Sequence, residues 1–186
     1  MQDTDCAWGI GAVSTRMPLL NVCRSKAPIV RAHGIDALVP GGLTSLAIAA
    51  QPAWLRALRV EERLPADARV LFTGCGTSFH AALAAGPAVH ALDAVLGDAP
   101  PADVLVGISH EGETKLTLEA VNGFAGERWT ITAAPDAPIA KACDHVVVAT
   151  PEIEKSYCHT VSYTCAVAAG RALRGVRGSR SLRDDH

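Results

Sequence analysis

Twice between residues 69 and 114 the chain runs from a short apolar segment through a glycine-bearing turn into a helical stretch. The first passage is Arg69-Val-Leu-Phe-Thr-Gly-Cys-Gly-Thr-Ser-Phe-His80, in which Val70 to Thr73 reads as a strand and Thr77 to about Ala85 as an alanine-rich helix. The second is Val104-Leu-Val-Gly-Ile-Ser-His-Glu-Gly-Glu-Thr114, whose opening run is continuously apolar and reads as a strand covered on both faces. A strand that ends in such a turn and opens a helix brings unpaired N–H groups and the positive end of the helix dipole to one point. Two of these turns in one parallel sheet describe a pocket for a polar, anionic small molecule.

The alternation continues along the chain. Ala88 to Leu92 reads as a second strand, Gly112 to Phe124 as a helix, and Trp129 to Thr132 as a fourth strand. Pro138 to Cys143 reads as a short helix, His145 to Ala149 as a fifth strand, and Val161 to about Leu173 as a final helix. Ahead of the first strand the helical pattern of Leu43 to Leu58 is interrupted at Gln51-Pro52. Proline suits a first helical turn, so the pattern predicts a helix from about Pro52 to about Arg63. Strands and helices in this order predict an α/β fold with a doubly wound parallel sheet, whose ligands bind beyond the carboxyl ends of the strands.

Composition narrows the function classes. A chain of 186 residues with a net charge of −2 and 4% aromatic residues is expected to be one domain with no general affinity for nucleic acid or membrane. Cys6, Cys23, Cys75, Cys143, Cys158 and Cys165 show no C-x-x-C spacing and no zinc pattern, so free thiols and no metal are expected. The start lacks the basic and apolar regions of a signal peptide, and no run approaches the roughly 20 apolar residues of a membrane span. A cytoplasmic protein is the expectation. Residues 1–40 carry no sustained period and read as an irregular or partly disordered arm. Residues 171–186 read as a solvated tail in which Arg171, Arg174, Arg177, Arg180 and Arg183 recur every third residue.

Gly74-Cys-Gly-Thr-Ser-Phe79 has the outline of a dinucleotide fingerprint, with Asp93 where a ribose-binding acid would stand. Its sixth position should be small so that helix and strand can close together, and it is Phe79. A Rossmann-type dinucleotide binder is therefore an alternative, and no cofactor is expected. The hydroxyls suit a sugar phosphate better, since Thr77, Ser78, Ser109 and Thr114 both donate and accept. Plain N-capping would also account for Thr77 and Ser78.

Three segments together carry a family resemblance: Val70 to His80, Val104 to Thr114, and Glu154-Lys-Ser-Tyr-Cys-His-Thr160. They resemble the sugar isomerase (SIS) domain, in particular the isomerase half of glucosamine-6-phosphate synthase (glutamine–fructose-6-phosphate aminotransferase) and its relatives. Gln51-Pro-Ala-Trp-Leu-Arg56 is similar to the helix that precedes the first strand in that group. The likeness spans about residues 45–170. It implies a five-stranded parallel sheet in the flavodoxin-like order 2-1-3-4-5. It also implies a phosphosugar held at Thr77, Ser78, Ser109, Gly112 and Thr114, and Gly76, His110 and Glu111 of the same two loops complete the eight candidate binding residues. Glu111 departs from the pattern, standing where the family has a second serine. A carboxylate beside a phosphate is repulsive at close range.

Aldose–ketose isomerisation needs a base to move a proton between C1 and C2 and an acid to open the ring. Glu154, in the loop after the fifth strand, is a candidate base, or else an exposed loop acid or a charge at a helix start. His159 is a candidate for ring opening or for reaching a neighbouring subunit, or else structural. Cys75 is expected to be a small buried residue. Synthase-type relatives carry two such domains in tandem, so the chain is expected to represent one half of that architecture. It should bind a carbohydrate derivative, turn it over poorly or not at all, and pair with another copy or a partner domain. An active isomerase completed by homodimerisation and a sugar-phosphate-sensing regulatory module stand beside the dinucleotide binder as competing functions.

Overall fold

The computed structural model describes residues 40–175. Its elements, in chain order, are α1 (Gly42–Ala57), β1 (Val70–Gly74), α2 (Thr77–Ala85), β2 (Ala88–His90), α3 (Ala91–Leu96), β3 (Val104–Ile108), α4 (Lys115–Gly123), β4 (Glu127–Thr132), α5 (Pro138–Ala142), β5 (His145–Val148) and α6 (Thr160–Leu173). The five strands form one sheet in the order β2-β1-β3-β4-β5, and every neighbouring pair is parallel. This is the expected α/β arrangement. The expected arm over 1–40, save its last residue, and Arg177, Arg180 and Arg183 lie outside the described residues. Arg171 belongs to the last turn of α6.

Side chains alternate across the sheet and feed two cores. Phe72, Val106, Ile108 and Ile131 pack on one face with residues of α1, α2 and α6 such as Ala47, Ala85 and Leu173. Leu71 and Leu105 pack on the other face with Val121 of α4 and Ile139 of α5. β3 is buried along its whole length, as its unbroken apolar run requires. On the first face small residues let the helices come close. A Cβ built on Gly170 of α6 would stand 2.6 Å from the Ala85 Cβ of α2.

At the amino ends of the strands, the backbone N–H and guanidinium of Arg69 both donate to Asp103, ahead of β3. Arg128 repeats the arrangement with Asp144, ahead of β5. Both clamps are exposed, so they fix strand register more than they add stability. Asp103, with its side-chain and backbone bonds from Arg69, has its pKa lowered to about 2.

Two elements differ from the sequence expectation. The first helix begins at Gly42 rather than Pro52, and Pro52 lies inside it. An interior proline removes one backbone bond at a cost of about 3 kcal/mol. The alanine-rich turns before it bury Ala47 in the core, and Thr44 and Gln51 bond to Ser156 and to the Thr160 carbonyl. Residues 58–69, expected to continue the helix as far as Arg63, are irregular. The second strand stops at His90, where the unforeseen α3 begins, capped by a bond from the Leu92 N–H to His90 Nδ1 at 3.2 Å. Among the described residues no helix is long and apolar enough to cross a membrane.

The closeness of α2 and α6 gives a direct test. Gly170→Val should destabilise the fold by roughly 1–3 kcal/mol through overpacking. Adding Ala85→Gly should recover part of that loss in urea titrations, whereas Ala85→Gly alone should not stabilise.

Candidate functional site

β1 and β3 are neighbours, and the turns at their carboxyl ends frame one cavity of about 280 Å³. Gly76 takes φ 53° and ψ −127°, a conformation that a side chain would oppose, and it starts α2. No side chain caps this helix. Thr77 and Ser78 therefore do not serve as caps, and both lie on the cavity wall with Gly76.

The second turn is built by Ser109 and Gly112. Ser109 is 1% exposed and does not reach the wall. Its Oγ donates to Thr114 Oγ1 at 3.2 Å, which leaves the Thr114 hydroxyl hydrogen free for the cavity. Gly112 is buried at φ 72°, where a Cβ would collide with the Ala137 methyl. It too lies off the wall. Of the eight residues expected to bind ligand, Gly76, Thr77, Ser78, His110, Glu111 and Thr114 line the cavity, while Ser109 and Gly112 shape the turn behind it.

His110 is pinned at both ends. Its carbonyl accepts the Ala133 N–H at 2.8 Å and the Thr132 hydroxyl at 3.1 Å. Its Nε2 accepts the Glu154 N–H at 2.8 Å, so the neutral ring carries its hydrogen on Nδ1. Burial, then the neighbouring His159 ring, hold its pKa below the usual histidine value against the opposing pull of Glu154 and Glu111. The two imidazoles meet edge to face with centroids 5.5 Å apart. His159 lines the cavity from the start of α6 with φ 47°, the only positive φ of a non-glycine among the described residues. Its Nδ1 is buried without a hydrogen-bond partner among those residues.

Glu154 does not line the cavity. It is 5% exposed, and its carboxylate accepts four bonds. Oε1 takes the Thr160 N–H at 2.8 Å and the Thr160 hydroxyl at 3.2 Å. Oε2 takes the Ser162 N–H at 2.8 Å and the Ser162 hydroxyl at 2.6 Å. Burial pushes its pKa up, but the combined bonds from Ser162 and Thr160 outweigh that and hold it below the usual range. Such a group is a weak base whose lone pairs are already engaged. Of the roles that the sequence left open to it, the charge at a helix start matches this geometry.

Cys75 is not the small buried residue expected. It is partly exposed on the wall, and its sulfur accepts the Thr117 hydroxyl at 3.6 Å. Ser162 and Tyr163 also reach the wall and went unread in the sequence. Their signal was their place in the first turn of the helix after β5. The wall contains Glu111 and two histidines but neither lysine nor arginine. Among the described residues no three metal-ligating side chains gather. A larger hollow of about 470 Å³ lies at the opposite, amino end of β1, but its wall is mainly apolar and proline-rich. Its arginines are engaged, Arg69 by Asp103 and Arg174 by the Ala85 carbonyl.

Glu154→Gln should lower stability by about 2–4 kcal/mol, because the amide nitrogen cannot accept the bonds that Oε2 or Oε1 now takes. The folded pKa is depressed, so this contribution is present above the unfolded value of about 4.3 and is lost as pH falls through the folded value. Urea titrations should show a gap between wild type and variant that is steady from neutral pH to about 5 and narrows in acid.

No family profile and no curated protein matches the sequence. Solved structures do match. A protein assigned as a sugar-phosphate isomerase from Listeria monocytogenes is 26% identical, with 69% of this chain and 80% of that chain covered at a TM-score of 0.50. Glucosamine-6-phosphate deaminase from Thermotoga maritima is 18% identical, with 70% and 47% covered at 0.56. The C-terminal domain of glucosamine-fructose-6-phosphate aminotransferase from Francisella tularensis is 18% identical, with 73% and 49% covered at 0.54. This chain thus spans about half the length of the latter two. The fold it shares with them is the one that the resemblance to the sugar isomerase domain implies.

Proposed function

We propose that residues 45–170 form a single sugar-phosphate-binding domain related to aldose–ketose phosphosugar isomerases and aminotransferases. The observation that carries this reading is the convergence of two helix-opening turns on one cavity, with the hydroxyls of Thr77, Ser78 and Thr114 on its wall. The neighbours named for sugar-phosphate chemistry support it. In this reading Thr77, Ser78 and Thr114 hold the phosphoryl and hydroxyl groups, and Ser109 and Gly112 set the turn. His110 and His159 contact the sugar, and Glu154 braces the start of α6. Glu111 is the one carboxylate among the wall residues, and it disfavours a bare phosphate beside it. The domain acts as half of a paired architecture in the cytoplasm, completed by a second copy or a sister domain. Ile48 of α1 is 53% exposed and Leu92 and Leu96 of α3 are 45% and 66% exposed, which leaves apolar surface for such a contact.

Calorimetry with fructose 6-phosphate, glucosamine 6-phosphate, NAD and NADP tests the binding claim. The sugar phosphates should bind and the dinucleotides should not. Ser78→Ala and Thr114→Val should each weaken binding by about 1–3 kcal/mol, since each leaves ligand polar groups unpaired. Unchanged affinity in both variants would move the ligand elsewhere.

Turnover is tested separately. Proton exchange at C2 of fructose 6-phosphate should stay near background for the chain alone, because Glu154 is engaged at α6. Sedimentation should show a dimer or larger. Fast exchange by a monomer, abolished by Glu154→Gln, would return the base role to Glu154 and remove the need for a partner.

A further inference from the structure

The wall of the cavity poses a charge problem. An anionic ligand enters a site that holds Glu111 and no lysine or arginine. The starts of α2 and α4 contribute at most about half a positive charge each, and Glu111 opposes them. Lys115, which follows the β3–α4 turn, and Lys155, in the loop between β5 and α6, are exposed and lie off the wall. The groups on this wall that can become cationic are the imidazoles of His110 and His159.

The two rings are not equivalent. His110 Nε2 already accepts the Glu154 N–H at 2.8 Å, and its Nδ1 carries the ring hydrogen. Charging His110 would put a second hydrogen on Nε2, facing an N–H donor, and would break that bond. His159 meets no such obstacle. Its Nδ1 is buried with no partner among the described residues, so a hydrogen placed there breaks no existing bond and finds an acceptor only when a ligand or water supplies one. The ring lines the cavity and is held there by a backbone conformation that few non-glycine residues adopt. The other titratable groups around the pair are Glu111 from the β3–α4 turn, Cys75 from the β1–α2 turn, Tyr163 from α6, and the Glu154 carboxylate behind His110. Of these, the carboxylates favour a charged imidazole, while a second charged ring 5.5 Å away opposes it.

We infer that binding of a phosphate ester draws one proton from solvent onto His159, while His110 stays neutral as an Nδ1–H donor to the sugar. This rests on the sugar-phosphate reading and adds to it the group that supplies the countercharge. Because a proton is taken up together with the ester, the affinity gained from the charge is lost as pH rises. The lowered pKa of His110 agrees with its neutral role.

The test is calorimetry of fructose 6-phosphate and glucosamine 6-phosphate at pH 7.5 in buffers of different ionisation enthalpy, such as Tris and HEPES. At that pH the ester is mostly a dianion and contributes little to the proton count, since its second pKa is about 6. The expected result is uptake of at least about half a proton per ligand, with affinity falling by up to about tenfold per pH unit where a whole proton is taken up. Uptake should vanish in His159→Gln and persist in His110→Gln, whose amide oxygen can still accept the Glu154 N–H. Imidazole nitrogen shifts of the wild-type protein give the same answer without a variant. His159 should move to the charged form on ligand addition, and His110 should keep its Nδ1–H signature. Binding without proton uptake, or uptake that survives His159→Gln, overturns this inference and leaves the sugar-phosphate reading standing. If neither ester binds at any pH, the reading itself falls and takes the inference with it.

Discussion

The buried carboxylate of Glu154 joins the two halves of the site. Its oxygens hold the first turn of α6 through Thr160 and Ser162, and the backbone N–H of the same residue holds the His110 ring from behind the cavity wall. A carboxylate this deep is stable only while its lone pairs are satisfied, and here four donors do so. The start of α6 provides them, because the first N–H groups of a helix have no partner within it. The tight approach from residue 154 to residue 160 leaves His159 in the left-handed region. The strained histidine and the buried acid belong to one construction.

Behind that construction the helices owe their closeness to small side chains. Ala85 and Gly170 let α2 and α6 meet. Gly107 of β3 similarly leaves room for Val121 of α4, whose Cγ2 would lie 2.8 Å from a Cβ there. Such packing holds the two helix-opening turns at fixed separation, as a site made of helix starts requires. The Arg–Asp clamps sit at the other end of the sheet, so register is set away from the ligand edge.

The sheet was legible because its signal is redundant. Each buried strand is a β-branched or apolar run, and each turn after β1 and β3 carries glycine. The misread parts are those whose cause lies outside the local sequence. Pro52 suggests a helix start, and only the burial of Ala47 and the bonds to residues 156 and 160 show why the helix extends ten residues earlier. α3 is capped by a histidine, a residue that is not among the preferred caps. Within the site, hydroxyls near glycines were readable as wall residues, but the division between wall and support was not. Ser109 and Thr114 look alike in sequence, and their burial and the direction of one hydrogen bond separate their tasks. Glu154 reads as a free loop acid until the donors six and eight residues later fold back on it.

Cys75, partly exposed on the wall, gives the cavity its own reporter. Among the described residues Cys143 and Cys165 are shielded, and burial pushes their pKa values up to about 12 and about 11. The accessible thiols among these residues are Cys75, on the wall, and Cys158, on the surface beside His159. With Cys6, Cys23 and Cys158 replaced by serine, a small alkylating reagent would mark the cavity through one atom. The rate of that marking would then count empty sites, whatever molecule fills the others.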